Sequence, residues 1–137
     1  MDAGVTLISA AGNDGIDVSL ITPAGIVESL TIGAIDKFDI PAGFNNISPS
    51  DSSVVTAAGL SLDMFAPGDD VMTAHTGNYG GVTGDYSINS GTSFAAPLIS
   101  GIACVIGSMN EGLVNMDSMK ETLVSTGTKN ALLFEDS

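Results

Sequence analysis

Apolar residues come first in short runs and later at a helical spacing, and this change of period organises the chain. Val5 to Ala11 is apolar and β-prone, which predicts a strand buried on both faces, as parallel sheets require. The turn residues Gly12-Asn-Asp-Gly15 end it. Leu30-Thr-Ile-Gly-Ala-Ile35 reads as a second strand stopped by Asp36, and Leu62-Asp-Met-Phe-Ala-Pro67 as a third closed by Pro67-Gly68. Val71-Met-Thr-Ala74 and Tyr86-Ser-Ile88 predict briefer extended pieces, joined through a Gly-rich stretch, Gly77 to Gly84, with the composition of a hairpin-like loop. From Ser93 the period becomes helical. Phe94 to Met109 is apolar on nearly all sides, which predicts a helix buried in a larger body with protein on every flank. Ser118-Met-Lys-Glu121, ahead of Leu123-Val124, has the S-x-x-E pattern of a capping box and predicts a short amphipathic surface helix. The fold class this implies is α/β, with a mostly parallel sheet between helices.

Composition narrows the function. A chain of 137 residues suffices for one domain that buries roughly 68% of its unfolded surface. Three Lys+Arg against sixteen Asp+Glu give a net charge of −13, a field that repels phosphate backbones and anionic headgroups, so neither nucleic acid nor a membrane surface is an expected partner. Hydrophobic residues make up 44%, near the globular average, and no run approaches the ~20 apolar residues that span a bilayer. The single cysteine, Cys104, lies in the apolar run Gly101 to Ile106 and is expected to be a small buried hydrophobe. Met1-Asp2 leads into the first strand without a basic region, so no signal peptide is expected, and the opening reads as the interior of a fold whose sheet neighbours lie elsewhere.

Two segments carry candidate chemistry. Gly91-Thr-Ser-Phe-Ala-Ala-Pro97 places Ser93 after a glycine turn at the start of the apolar helix. There, unpaired N–H groups and the positive end of the helix dipole suit an oxyanion on a carbonyl under attack. Taken alone, Ser93 reads equally as an ordinary helix N-cap. Ser9-Ala-Ala-Gly-Asn-Asp14 lies at the end of the first strand, where α/β proteins project side chains into the ligand crevice. The Asn13 amide can donate to an oxyanion, and Ala10, Ala11 and Gly12 are small enough to leave the backbone open to an extended peptide. Taken alone, Asn13-Asp14-Gly15 is a turn.

Together these segments resemble the subtilisin-like serine peptidases, the subtilases, which carry their serine in Gly-Thr-Ser-Met-Ala-x-Pro and an oxyanion asparagine in Ala-Gly-Asn. Leu62-Asp-Met-Phe-Ala-Pro-Gly68 is similar to the Asp-x-x-Ala-Pro-Gly segment of that family, and Thr22-Pro-Ala-Gly25 to its Pro-Ala pocket segment, in the same order. The related sedolisins share the Gly-Thr-Ser serine but have an aspartate where Asn13 stands. The resemblance implies a three-layer subtilisin-like fold. It makes Ser93 the nucleophile and gives the oxyanion hole to Asn13 and the Ser93 N–H. It also implies a substrate path along Ala10, Ala11, Gly12, Ile21 and Pro23, with Ile21 shortening the P1 pocket, a peptide or protein substrate, and secretion.

The family's Asp-Thr-Gly and His-Gly-Thr-His motifs, which supply the base and its orienting carboxylate, are absent from this chain. A serine hydroxyl is a weak nucleophile without them. The only histidine, His75, is expected in an exposed loop. Residues 1–137 therefore resemble the C-terminal half of one peptidase domain, whose expected partner is the N-terminal half bearing Asp and His. The alternative is a non-catalytic subtilase-like module that binds peptides without turnover. The resemblance further implies structural calcium, held by Asp63 with the carbonyls of Val27 and Ser29 and completed by other oxygens; otherwise Asp63 accepts backbone hydrogen bonds. Glu28, Asp36 and Asp39 read as solvated surface.

Overall fold

Alternation along Leu30–Ile35 builds the centre of the protein. The computed structural model describes residues 5–47, 62–74, 86–109 and 116–133. Strands β1 (Ile8–Ala10), β2 (Leu30–Ile35) and β3 (Met64–Pro67) form a parallel sheet in the order β1-β2-β3, with Ile8 opposite Leu30 and Ile32 opposite Met64. All six residues of β2 are buried, as a central parallel strand covered on both faces must be. Leu30, Ile32 and Ala34 join Ala66 on one face, where they meet Ala95, Ile99 and Ala103 of helix α1 (Thr92–Met109) and Met119 and Leu123 of helix α2 (Met116–Thr126).

Among the described residues, the opposite face is covered by loop segments and a short 3-10 turn. Ala11, Val18, Ala24 and Leu62 form a second cluster there, with Ile21 and Phe65 packed against it. Gly33 makes the fit possible, because a Cβ at that position would lie 2.6 Å from both Leu62 Cδ1 and Phe65 Cε1. A 3-10 turn at Val18–Leu20, absent from the sequence expectations, begins where the Asp17 carboxylate accepts the Ser19 N–H across 2.9 Å. Strands β4 (Val71–Ala74) and β5 (Tyr86–Asn89) pair antiparallel, Val71 opposite Asn89. The expected loop joining them and His75 lie outside the described residues.

Several expectations are corrected. The first strand begins at Ile8, and Val5 is exposed, because only Ile8 to Ala10 have register partners on β2. The third begins at Met64, after Asp63. Helix α2 begins at Met116, so Ser118 lies within the first turn, where its carbonyl accepts the Thr122 hydroxyl across 2.7 Å. The acidic first-turn residue is Asp117, whose charge favours a helix start.

Helix α1, expected to need protein on every flank, is covered on one side among the described residues. Only Thr92, Ala95, Ile99 and Ala103 are buried, one i, i+4 stripe against the sheet, while Leu98, Ile102, Val105 and Met109 are exposed. Cys104 is exposed as well. Apolar composition on every side does not bury a helix; a neighbour does, and the sheet covers a single stripe. At 18 residues and a mean hydropathy of 1.6, α1 is long and apolar enough to cross a membrane by length and composition, more than the sequence reading allowed. Its buried stripe nevertheless packs on the sheet as a domain-core helix does.

Candidate active site

Three pieces of chain meet where the parallel strands end: the loop after β1, the Pro67-Gly68 corner after β3, and the N-terminus of α1. Gly68 accepts the Gly91 N–H across 2.7 Å. A Cβ on Gly68 would stand 2.7 Å from Ala34 Cβ and 3.0 Å from Ala95 Cβ, so glycine there lets the helix start seat directly on the sheet. Gly91 has φ +153°, and a Cβ on it would sit 3.3 Å from Asn13 Nδ2, which keeps the approach between the turn and the Asn13 amide clear.

Asn13 is held by Thr92. Its Oδ1 accepts the Thr92 N–H at 2.8 Å and the Thr92 hydroxyl at 2.9 Å. The Thr92 hydroxyl, fully buried, in turn accepts the Gly12 N–H at 3.0 Å. Because a backbone N–H can only donate, these bonds decide the orientation of the amide. Oδ1 faces the helix, and Nδ2 donates to no acceptor among the described residues. Asn13 thus satisfies an orphan donor of the first turn of α1 from a distant part of the chain, as an N-cap would.

Ser93, second residue of α1, is exposed. Its hydroxyl caps nothing among the described residues, so the capping work belongs to Asn13, and its own N–H has no acceptor among them. Among the described residues, neither Asn13 Nδ2 nor the Ser93 N–H has an acceptor, and the exposed Ser93 hydroxyl stands at the positive end of the helix dipole.

Asn46, which sequence reasoning missed, shapes the loop. Fully buried, it accepts the Asp14 N–H at 2.9 Å and the Ile16 N–H at 3.1 Å, and its Nδ2 donates to the Ala11 carbonyl at 3.1 Å. An Asn following a turn carries no local mark of such a role. Asn46 also explains Gly12, whose φ is +98° and whose added Cβ would lie 2.2 Å from Asn46 Nδ2. Gly12→Ala is therefore expected to cost about 3 kcal/mol, from strained backbone and a displaced buried amide. Thermal unfolding checks this: a melt matching that of the unsubstituted protein would contradict it.

The expected open backbone is narrower than the sequence suggests. Ala11 is wholly buried; its N–H donates to the Ile32 carbonyl at 3.0 Å while its carbonyl holds Asn46. Both peptide groups of Gly12 are bonded internally too, to Thr92 and Asn46. Ala10 remains. With Leu7 and Ala11 turned to β2, alternation turns the peptide groups of Ala10 to the other edge, which pairs with no strand among the described residues. Ile21 is half-buried against the Ala11, Val18, Ala24 and Leu62 cluster, and Pro23, exposed, follows a cis peptide bond on the same segment. Asp63 and Ser29 converge away from Ser93, and Lys120 of α2 stands between them. Val27 is 87% exposed and joins them through no bond among the described residues.

With this geometry in place, comparison with known proteins decides the lineage. The family model for the subtilase family matches residues 1–136. The chain belongs to the subtilase family. Subtilisin-like protease 1 of Pseudogymnoascus destructans is 34% identical over 129 residues, 94% of this chain and 28% of that protein. The extracellular serine proteinase of a Thermus species is 36% identical over 105 residues, 77% of this chain and 22% of that protein. A cold-adapted subtilisin-like serine proteinase of known structure superposes with a TM-score of 0.75 at 29% identity, covering 94% of this chain and 41% of the other. The α/β subtilisin-like fold is therefore established, and this subtilase chain spans little more than a quarter of the first curated relatives it matches.

Proposed function

We propose that this chain supplies the nucleophile and oxyanion hole of a subtilisin-type serine endopeptidase, secreted like the Thermus relative named as extracellular. The observation that carries the reading is the fixed Asn13 amide: Oδ1 is bonded to Thr92, next to Ser93 in the chain, and Nδ2 has no acceptor among the described residues. Donors so placed act on the negative oxygen of a tetrahedral intermediate more than on the ground-state carbonyl.

In the proposed reaction, Ser93 Oγ attacks the scissile carbonyl as a histidine takes its proton. The carbonyl oxygen becomes an anion between Asn13 Nδ2 and Ser93 N–H, and the amine leaves with the histidine's proton. Water then hydrolyses the Ser93 ester by the same route. The histidine and its aspartate come from a preceding segment that this chain does not contain, docked on the open β1 edge and the exposed Leu98, Ile102 and Val105 face of α1. A peptide substrate runs past Ala10, with Ile21 and Pro23 bordering the P1 pocket, and Ile21 favours small or medium apolar side chains there.

Covalent labelling tests the assignment. The 137-residue chain alone should be inert toward a fluorophosphonate or sulfonyl fluoride probe, since an unassisted hydroxyl leaves only binding and oxyanion stabilisation. The full-length protein should be labelled at Ser93. Full-length protein that stays unlabelled while binding peptides would instead establish a non-catalytic binding module.

A further inference from the structure

Of the three residues to which the family resemblance assigns calcium, Asp63, Val27 and Ser29, two are bridged by an ammonium. Lys120 Nζ lies 2.9 Å from Asp63 Oδ1 and donates to the Ser29 carbonyl across 3.0 Å, both ordinary charge-assisted hydrogen-bond lengths. The other carboxylate oxygen, Asp63 Oδ2, accepts the Thr31 N–H at 2.8 Å. Calcium requires about six to eight oxygens at 2.3–2.6 Å. Here a single carboxylate is present, with both oxygens engaged, and among the described residues no group of three or more His, Cys, Asp or Glu converges to hold a metal. As arranged, the donor set does not fit a calcium ion.

The ammonium instead satisfies what such an ion would. It is one of only three cationic side chains set against sixteen acidic ones, and it neutralises Asp63 where both side chains are about three-quarters buried, at 29% and 24% exposed. It reaches from α2 to the residues leading into β2 and β3. Behind it the hydroxyls continue the connection: Ser29 Oγ meets Ser9 Oγ at 2.5 Å, and Thr31 Oγ1 donates to the Ala24 carbonyl at 2.7 Å. We propose that Lys120 is the resident cation of this site, its ammonium taking the place of calcium between Asp63 and Ser29 and fastening α2 to the sheet without a metal. The inference holds whether or not the protein turns over peptides.

The test compares the full-length protein with its Lys120→Met and Asp63→Asn variants, methionine keeping the aliphatic stem without the charge. In chelator, Lys120→Met should melt about 4 °C lower or more, and millimolar calcium should not restore that loss, since Asp63 Oδ1 and the Ser29 carbonyl alone fall far short of the oxygens calcium requires. The unsubstituted protein should respond to calcium no more than Asp63→Asn does, any common response belonging to sites elsewhere. Equilibrium dialysis against about 1 mM calcium gives an independent readout should Asp63→Asn fail to fold: Lys120→Met and the unsubstituted protein should hold equal amounts of calcium. The proposal is overturned by an unchanged melt of Lys120→Met, by a loss that calcium restores, by a higher calcium content in Lys120→Met, or by a larger calcium response in the unsubstituted protein than in Asp63→Asn.

Discussion

Ser93→Ala is expected to lower kcat of the full-length protein by about 10⁶, the size measured when a subtilisin loses its serine, and to abolish covalent labelling. The residual rate should be on the order of 10³–10⁴ over water, from binding and oxyanion stabilisation alone. Stability should hardly change. The Ser93 side chain is exposed, and among the described residues its hydroxyl makes no hydrogen bond that alanine would forfeit, so a surface substitution of this kind falls within about 0.5 kcal/mol. The pairing of an intact melt with lost turnover separates a nucleophile from a structural serine. If Ser93→Ala retained a tenth of the activity, another residue would have to be the nucleophile.

Asn13 is best tested with two substitutions, because its amide has two ends in two environments. Asn13→Ala removes the Nδ2 donor and also leaves the Thr92 N–H and hydroxyl without their acceptor. It should lower kcat by about 10²–10³, as loss of such a donor does in a subtilisin, and should cost about 1 kcal/mol of stability from the lost cap. Asn13→Asp keeps an oxygen on Thr92 and turns the second oxygen, negatively charged at neutral pH, toward the position of the developing anion. Its melt should match that of the unsubstituted protein or exceed it, since a carboxylate at a helix N-terminus is favourable, while its kcat should fall below that of Asn13→Ala. Were Asn13 only a cap, Asn13→Asp would be fully active; kcat and Tm measured on both variants discriminate.

The placement of these two residues was legible in the sequence because each lies in a short local motif. Gly-Thr-Ser ahead of an apolar run puts a serine at a helix start, and Ala-Gly-Asn after a β-rich run puts an amide at a strand end. Strand β2 was legible over its full length for a related reason: a run bounded by turn residues and buried on both faces needs no particular partner to be recognised.

What the sequence could not show is set by contacts across long separations. The donors that orient Asn13 lie 79 residues away on α1, the Asn46 bonds that shape its loop span 30 to 35 residues, and Lys120 reaches Ser29 across 91. No periodicity or local motif records such pairs, because they form only when the sheet brings strand ends and helix ends together. The same limit explains Cys104 and the outer face of α1: composition states how apolar a residue is, while exposure depends on which neighbour covers it. By itself, then, the sequence determined the family and the place of its two motifs at a strand end and a helix start. Only the tertiary structure decided which end of the Asn13 amide faces outward and which cation stands beside Asp63, since hydrogen-bond direction and charge pairing depend on geometry that chain order does not contain.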